Sequence, residues 1–449
     1  MSERALFATK IGVIASTVGS AVGLGNIWRF PYLTGQNGGA AFLITYILCV
    51  MLLGIPLMIS EFIVGRKAKA NASRAFLVLQ PSSHWNIIGY LGIFSSVIIL
   101  GFYMVVSGWV TDYMIQSFGN EFIGKSSIQL SKSFEGFVSD PFRPLMWVYI
   151  FLFINYIILS QGVTKGIERA SNILMPLLFI ILIIFCINSL TMPGAGQGIE
   201  YLFKPDFSKI TGKVFLDALG QAFFSLSIGI GILITYGSYF KPNTNLTSIA
   251  LTVALLDVFI AILAGVIIFP ATFSFGINPT QGPELIFITL PNVLQRMASP
   301  HLWSVLFFVL VGVAALTSTI SLCEVAIAYI HEEFSLTRKK ATLTLILIVA
   351  LLSTLCSLSF STLSDFKIFG MTFFDLSDYI SANILLPAGG LLLSIFVGWK
   401  LKAKTIYREL VTKNRVPRWV FYTIIFCIRY IAPISIILIF LTSTGIFKL

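Results

Sequence analysis

The chain contains eleven long apolar stretches, each of which could cross a lipid bilayer as a helix. A helix needs about 20 mostly apolar residues for this, because the hydrocarbon core offers no water to an open backbone. Only 11% of the 449 residues are charged, against about 25% in a soluble domain. We therefore predict an all-α polytopic membrane protein, which excludes a soluble enzyme or a nucleic-acid-binding domain. The expected spans are 9–36, 40–65, 86–118, 143–160, 168–190, 214–240, 246–275, 299–330, 340–358, 372–399 and 419–444.

The distribution of basic residues predicts how the chain is inserted. If the N-terminus is cytoplasmic, 19 of the 30 Lys and Arg residues fall on the cytoplasmic side, where membrane proteins carry their basic excess. We predict an inner (plasma) membrane protein of a bacterial type, with an external C-terminus. The net charge of +11 is then an orientation signal, and no nucleic-acid partner is expected. The polar segment 281–297 is too short to cross and is predicted to form an external loop helix.

Glycines interrupt the first and sixth stretches in a way not seen in the others. The first contains Gly19, Gly23 and Gly25, and the sixth contains two glycines within 225–231. Glycine in a helix interior costs about 1 kcal/mol relative to alanine. Close packing through small residues would explain either cluster alone. Two broken helices at equivalent positions of two inverted repeats instead indicate an ion and substrate site at the midplane. The predicted units are 1–190, 214–399 and a last helix at 419–444.

Four motifs resemble those of one transporter family. The first stretch reads Gly19-Ser-Ala-Val-Gly-Leu-Gly-Asn-Ile-Trp-Arg-Phe-Pro-Tyr32, and the sixth reads Gly220-Gln-Ala-Phe-Phe-Ser-Leu-Ser-Ile-Gly229. The fifth contains Gly166-Ile-Glu-Arg-Ala-Ser-Asn-Ile-Leu-Met-Pro176, and the eighth contains Leu316-Thr-Ser-Thr319. Along nearly its whole length the chain resembles the neurotransmitter:sodium symporter family, especially bacterial eleven-helix carriers of tryptophan and other hydrophobic amino acids. The resemblance implies alternating access, with two Na⁺ ions moving inward with each substrate and no organic cofactor.

The resemblance also implies two sodium sites built from oxygen atoms, which are the ligands that hard cations prefer. At one site the substrate carboxylate would complete the ligand set, so that ion and substrate would each favour binding of the other. The hydroxyls of the other site could equally bond to carbonyls one turn back in their own helix. The implied residues are Ala21, Asn26, Ser225 and Asp257 for the first site, and Gly19, Val22, Ala314, Thr317 and Ser318 for the second.

Asp257 departs from the family pattern, because many relatives carry Asn at this position. Chloride-dependent animal members carry a serine where this chain has Ala261, although Tyr46, Gln221 and Ser225 match other chloride contacts. A carboxylate at membrane depth is costly unless it is paired. Beside Na⁺, Asp257 would supply the negative charge that chloride supplies in animal relatives. We therefore predict chloride-independent transport, with proton return through Asp257 as an added hypothesis.

Gly23 predicts the substrate class. Monoamine-carrying relatives have an Asp at this position, so a chain with glycine needs a substrate that brings its own carboxylate. Amides of the unwound first helix would receive that carboxylate. The implied pocket has no charged side chain, so we expect hydrophobic or aromatic L-amino acids. The residues implied to bind the substrate are Ala21, Leu24, Gly25, Ile99, Tyr103, Phe224, Ser225, Ser227, Ile230, Ser318 and Leu322.

Two charge pairs are implied to close the two ends of the pathway. The external pair is Arg29 with Asp378, and the cytoplasmic pair is Arg4 with Glu332, or equally with Glu333. Solvated pairs of this kind usually contribute less than about 1 kcal/mol, and a plain surface pair is the alternative at the cytoplasmic end.

Two further features concern helix winding. Gly166 and Pro176 weaken the fifth helix, and in relatives this spacing accompanies an unwinding that admits water to the second sodium site. Simple kinking or packing is the alternative. Glu61, also at membrane depth, is expected to hold the unwound backbone of the sixth stretch.

These features together predict a sodium-coupled symporter that imports hydrophobic or aromatic L-amino acids. The alternatives are an amino-acid sensor or channel-like protein without coupled transport, and a proton-coupled carrier of the same fold. An enzyme is not expected, because no Ser–His, HExxH or paired catalytic carboxylate constellation lies at a common depth. The three histidines and five cysteines share no metal-ligand spacing, so no transition metal is expected. The expected partners are the small-molecule substrate and membrane lipid.

Overall fold

Helices form every long element of the protein. The structure is a computed structural model that describes residues 5–276, 285–412 and 416–443. Within these ranges there is no β-strand, and a single isolated bridge joins Ile368 to Met371. The predicted all-α membrane fold is confirmed.

Nine continuous helices in the described ranges are long and apolar enough to cross a membrane. They coincide with nine of the predicted stretches, and most ends agree within a few residues. The largest shift is in the fifth stretch, whose helix begins at Val163 instead of near residue 168. The nine helices are Ala40–Ala68, Ile87–Phe118, Arg143–Ser160, Val163–Leu190, Leu246–Phe275, Pro300–Glu333, Arg338–Leu358, Phe373–Lys400 and Arg418–Thr442.

The other two stretches, the first and the sixth, are broken as predicted. In the first, the helix Lys10–Ala21 is followed by Gly25–Gln36, inclined by 54°. In the sixth, Gly212–Ser225 and Ile232–Ser238 flank a non-helical turn. At 1.5 Å per residue the longest of these four pieces reaches about 21 Å, short of the roughly 30 Å hydrocarbon core. The count of eleven spans and the two five-helix repeats stay predictions.

Local backbone conformation explains both breaks. In the sixth stretch Ser227, Gly229 and Gly231 all have positive φ, at 54°, 85° and 85°, a region that glycine adopts without steric cost. In the first stretch Val22 leaves the helix with φ −80° and ψ 110°. Each break therefore removes several peptide groups from helical hydrogen bonding, and inside a membrane such groups need partners from the protein.

Two long helices enclose the breaks. Pro300–Glu333 packs along Ile87–Phe118, and Lys10–Ala21 packs against Pro300–Glu333 and against the fifth-stretch helix. A Cβ atom on Gly92 would lie only 2.8 Å from the Ile230 carbonyl oxygen, so the third-stretch helix touches the backbone of the break directly. The opened backbone is thus buried in protein, where it is tolerated.

The predicted loop helix at 281–297 is described in part, since 281–284 lie outside the described residues. Leu285–Thr289 forms a π-helical turn, and Leu290–Leu294 forms a short α-helix. The Phe287 ring packs edge-on against Trp109 and Tyr113, with ring centroids 5.8 and 5.1 Å apart. The loop is therefore anchored on the third-stretch helix.

Five π-helical turns lie within four of the long helices described here. A π turn has i→i+5 hydrogen bonds and often marks a functional site. In the fifth stretch the turn contains Gly166, where a Cβ atom would lie 2.1 Å from the Ile158 carbonyl oxygen. Pro176 follows inside the same helix. The weak point predicted from Gly166 and Pro176 is thus a departure from α-helical winding. The turns are Val50–Gly54, Val163–Glu168, Ile380–Leu385, Phe396–Lys400 and Cys427–Ile431.

Candidate functional site

Side chains from two other helices converge on the first break. The Leu24 amide donates a hydrogen bond to the Tyr103 hydroxyl at 3.4 Å, and the Ser318 hydroxyl lies 3.5 Å from the Val22 carbonyl oxygen. A Cβ atom on Gly23 would lie 2.4 Å from Ser318 Oγ and 3.3 Å from the Tyr103 hydroxyl. A side chain at position 23 would therefore not fit between these two hydroxyls.

The sixth stretch contacts the same break from the opposite side. A Cβ atom on Gly25 would lie 2.9 Å from Cε1 of Phe224. The Ser227 hydroxyl donates a hydrogen bond of 2.8 Å to the Ser20 carbonyl, which ties the two breaks together. Of the residues implied to bind substrate, the structure thus brings together Leu24, Gly25, Tyr103, Phe224, Ser227 and Ser318. Ala21, Ile99, Ile230 and Leu322 are buried, and their contact with a substrate stays a prediction.

Asp257 is fully buried and lies at the centre of a polar cluster beside the first break. Its carboxylate accepts hydrogen bonds from the Tyr46 hydroxyl at 2.8 Å, the Asn26 side-chain amide at 2.8 Å and the Ser225 hydroxyl at 2.7 Å. Asn26 also donates to the Ser225 hydroxyl at 3.2 Å. The structure therefore brings together Asn26, Ser225 and Asp257, three of the four residues implied for the first sodium site.

One detail of this cluster differs from the implied ligand set. The Asn26 side chain directs its nitrogen toward Asp257, and its oxygen accepts a hydrogen bond of 3.3 Å from the Gly23 amide. The amide oxygen that should bind sodium is thus turned toward the backbone of the break. Gln221, which matched a chloride contact, donates to the Gly25 carbonyl at 3.2 Å.

The residues of the second implied sodium site face each other across two helices. A Cβ atom on Gly19 would lie 3.3 Å from Cβ of Thr317, and Ser318 approaches the Val22 carbonyl as described above. The Thr317 hydroxyl donates within its own helix, to Val313 at 3.2 Å and to Ala314 at 3.1 Å. This bonding is the alternative that the sequence left open, and it also places the hydroxyl beside the Ala314 carbonyl of the implied site.

Glu61 supports the second break. Its Oε1 atom accepts a hydrogen bond of 2.8 Å from the Gly229 amide, and the side chain is fully buried. The expectation that Glu61 holds the unwound sixth stretch agrees with this bond. The second-stretch helix is therefore linked to the break by a side chain as well as by packing.

The external pair Arg29–Asp378 is not formed. No ion pair within 4.0 Å joins these two residues, both of which are described, and Asp378 is exposed. The Arg29 guanidinium instead lies over the Phe224 ring, 4.6 Å from its centroid, between the site and an open cavity of about 570 Å³. The cavity is lined by Asp217, Phe223, Leu386 and other residues.

Of the implied cytoplasmic pair, the structure describes the acidic partners Glu332 and Glu333, whereas Arg4 lies outside the described residues. Glu332 accepts hydrogen bonds from the Asn71 amide at 2.9 Å and from its side chain at 3.2 Å. Glu333 accepts from the same side chain at 2.7 Å. Both acids therefore contact the loop that follows the second-stretch helix, and the choice between them stays open.

Several buried charged residues were not singled out by the sequence analysis, among them Glu324 and Glu168. Glu324 is fully buried in the eighth stretch, where it accepts hydrogen bonds from Tyr239 at 2.6 Å and from Arg338 at 2.8 Å. Glu168 accepts hydrogen bonds from the backbone of residues 8 and 9. For Glu324 the available signal was an acid within an apolar helical segment, which is costly there unless it is paired. Glu168 gave no such signal, because Lys165 and Arg169 lie close to it in the sequence.

A helical membrane protein with two helices broken at a shared, buried polar site has the architecture of a secondary transporter. The chain belongs to the neurotransmitter:sodium symporter family: the model of the sodium:neurotransmitter symporter family matches residues 4–132 and 120–448. It is therefore a sodium-dependent, multi-pass membrane symporter and not an enzyme.

Individual relatives agree with this assignment. The chain is 38% identical over 440 residues to the sodium-dependent transporter YhdH of Bacillus subtilis, and 98% of each chain is covered. It is 36% identical over 454 residues to a sodium-dependent transporter of Haemophilus influenzae, again with 98% of each covered. The crystal structure of MhsT in complex with L-phenylalanine matches with a TM-score of 0.90 and 40% identity, covering 98% of this chain and all of that one.

Proposed function

We propose that the protein imports hydrophobic or aromatic L-amino acids by sodium-coupled alternating access. The observation that carries this proposal is the space around Gly23, which has no room for an acidic side chain between Tyr103 and Ser318. A substrate must then bring its own carboxylate, for which the Leu24 amide and the Tyr103 hydroxyl are donors. MhsT, which is 40% identical, was crystallised with L-phenylalanine, and this supports the same substrate class.

Two Na⁺ ions are proposed to bind around the first break. The donor sets fit a hard cation, because they consist of carbonyl, hydroxyl and carboxylate oxygens. At the first site the Asp257 carboxylate would act with Ser225, and the Asn26 side chain would turn its oxygen toward the ion. At the second site Thr317 and Ser318 would act with carbonyls of the first and eighth stretches. No formal charge lies in the second set, which suits an ion that must be released.

Transport is proposed to be independent of chloride. Asp257 is held by Tyr46, Ser225 and Asn26, and two of these positions match chloride contacts of animal relatives. The carboxylate thus provides a negative charge in the place where those relatives bind an anion. Proton return through Asp257 remains the added hypothesis, and a proton-coupled carrier is the second candidate because this buried acid is present.

The remaining proposals concern the path and its orientation. Arg29 over Phe224 is proposed to close the external side, with Asp378 joining Arg29 when substrate is bound. Arg4 with Glu332, or equally with Glu333, is proposed to close the cytoplasmic side. The N-terminus is proposed to be cytoplasmic in an inner membrane, and 1–190 and 214–399 to be inverted repeats.

Uptake into proteoliposomes tests the function. We expect labelled Phe, Trp, Tyr, Leu and Met to accumulate in Na⁺ and not in choline, with little uptake of charged amino acids. Replacing chloride by gluconate should change the rate less than twofold. A proton gradient that drives uptake in choline would favour the proton-coupled carrier. A protein that binds Phe but shows no counterflow would be a sensor, and the proposal would be wrong.

A further inference from the structure

The carboxylate of Glu168 binds the beginning of the first helix from the fifth stretch. Its Oε2 atom accepts a hydrogen bond of 2.8 Å from the Ala8 amide. Its Oε1 atom accepts bonds of 3.0 Å from the Thr9 amide and 2.7 Å from the Thr9 hydroxyl. Glu168 is only 3% exposed, although Ala8 and Thr9 are exposed. Three bonds therefore join segments about 160 residues apart in the chain.

The first helix is built to receive this carboxylate. Thr9 is its N-cap, and the Thr9 hydroxyl accepts a hydrogen bond of 2.9 Å from the Gly12 amide while donating to Glu168. A Cβ atom on Gly12 would lie 2.0 Å from Oε1 of Glu168, so the position must be glycine for the carboxylate to approach. A negative charge at the N-terminus of a helix is also stabilised by the helix dipole.

The other end of the contact lies on irregular backbone. Glu168 is the last residue of the π-helical turn Val163–Glu168, which follows Gly162 with a φ of 85°. The Thr164 hydroxyl donates a second, longer bond of 3.3 Å to the Leu6 carbonyl. Each helical residue rotates about 100° and rises 1.5 Å. Any rewinding of this turn would therefore carry Glu168 away from Ala8 and Thr9.

The helix that Glu168 holds leads directly to the proposed second sodium site. Lys10–Ala21 runs from the Glu168 contact to Gly19 and Val22, which face Thr317 and Ser318. Gly12 and Gly19 are seven residues apart, which corresponds to about 10 Å along a helix. A displacement of the first turn thus reaches the sodium ligands through a short, continuous helix.

We infer that Glu168 is a positioning residue that couples the winding of the fifth stretch to the position of the first helix. While Glu168 is bound, the first helix stays closed on the second sodium site. When the π-helical turn changes its winding, the bonds break, the first helix is free to move, and the site loses its carbonyl ligands. The inference rests on the proposed function, because it assigns that site to sodium.

Hydrogen–deuterium exchange of the purified full-length protein in Na⁺ and in choline tests this coupling. In the wild type, Na⁺ should slow exchange in peptides covering residues 5–21. Glu168→Gln keeps the size and removes the charge, so exchange there in Na⁺ should become at least tenfold faster. The Na⁺ concentration that gives half of the maximal protection from exchange should then rise about tenfold. Gly12→Ala should give the same pattern, because its Cβ would displace the carboxylate. Exchange within 87–118 should not change.

The matched controls are Glu135→Gln, which neutralises an exposed acid, and Gly136→Ala, which adds a Cβ in open space. Both should behave as the wild type. If exchange in 5–21 rises equally in Na⁺ and choline, Glu168 is a simple cap and the coupling is wrong. If the sodium response of Glu168→Gln equals that of the wild type, the coupling is wrong but the proposed function is not affected. A wild type without any sodium response overturns the proposed function, and the coupling with it.

Discussion

The Tyr46 hydroxyl donates a hydrogen bond of 2.8 Å to the carboxylate of Asp257, inside a cluster that has no access to solvent. Asn26 and Ser225 donate to the same carboxylate, so the acid is held by side chains from the first, second and sixth stretches. A buried carboxylate is costly unless such partners are present. The arrangement gives the proposed first sodium site a fixed charge from the chain itself.

Asp257→Asn should weaken sodium binding without changing the size of the side chain. Hydrogen bonds to a charged group contribute about 1.5–3 kcal/mol, and about 1.4 kcal/mol corresponds to a factor of ten. We expect the Na⁺ concentration for half-maximal Phe uptake to rise at least tenfold. Asp365→Asn, which neutralises an exposed acid, is the control. Equal sodium dependence of the two variants would show that Asp257 is not a ligand.

Gly23→Ala should impair substrate binding while the protein still folds. The new Cβ would lie 2.4 Å from Ser318 Oγ, and that side chain must turn away. We expect at least a tenfold loss of Phe affinity, measured by binding to the purified protein. Gly196→Ala adds a Cβ in open space and should have no effect. Normal affinity in Gly23→Ala would mean that the carboxylate does not bind beside Gly23.

Thr317→Val tests whether the Thr317 hydroxyl binds sodium or only forms hydrogen bonds within its own helix. If Thr317 binds the ion, half-maximal uptake should need about tenfold more Na⁺, because a ligand is lost. Thr344→Val removes a hydroxyl that also bonds one turn back, to Lys340 at 3.0 Å, outside the site. Sodium titrations of uptake should therefore differ between the two variants. Identical curves would support the local bonding alone.

Glu61 should be required for the stability of the second break. Glu61→Ala would leave the buried Gly229 amide without its partner, at a cost of about 1–3 kcal/mol. Glu61→Gln should be milder, since its amide oxygen can still accept this bond. Thermal unfolding followed by intrinsic fluorescence should rank the wild type above Glu61→Gln and Glu61→Ala. Glu135→Ala, at an exposed acid, is the control. Equal melting temperatures would contradict this role.

The sequence was most informative where the structure depends on local chemistry. Glycine clusters in the first and sixth stretches predicted both breaks. In the sixth stretch, few other residues adopt the positive φ found at Gly229 and Gly231. Glu61 could be assigned because an acid at membrane depth must find a partner. Long apolar runs predicted the membrane helices within a few residues.

Other features depend on contacts between distant segments or on conformational state. The bonds of Glu168 to Ala8 and Thr9 join residues about 160 positions apart, which no local pattern reports. The orientation of the Asn26 amide follows from the carboxylate of Asp257 on another helix. Arg29 and Asp378 were implied as a pair, but a gate can be apart in one state and joined in another.

The π-helical turns also change how the surfaces of the long helices should be read. Each turn accommodates one residue more than an α-helical turn, and one residue corresponds to about 100° of rotation. Beyond Cys427–Ile431, for example, the residues that face lipid are offset from those that a constant 3.6-residue period would assign. A cysteine scan along Arg418–Thr442 should therefore yield two labelling patterns with different phases, which meet at this turn.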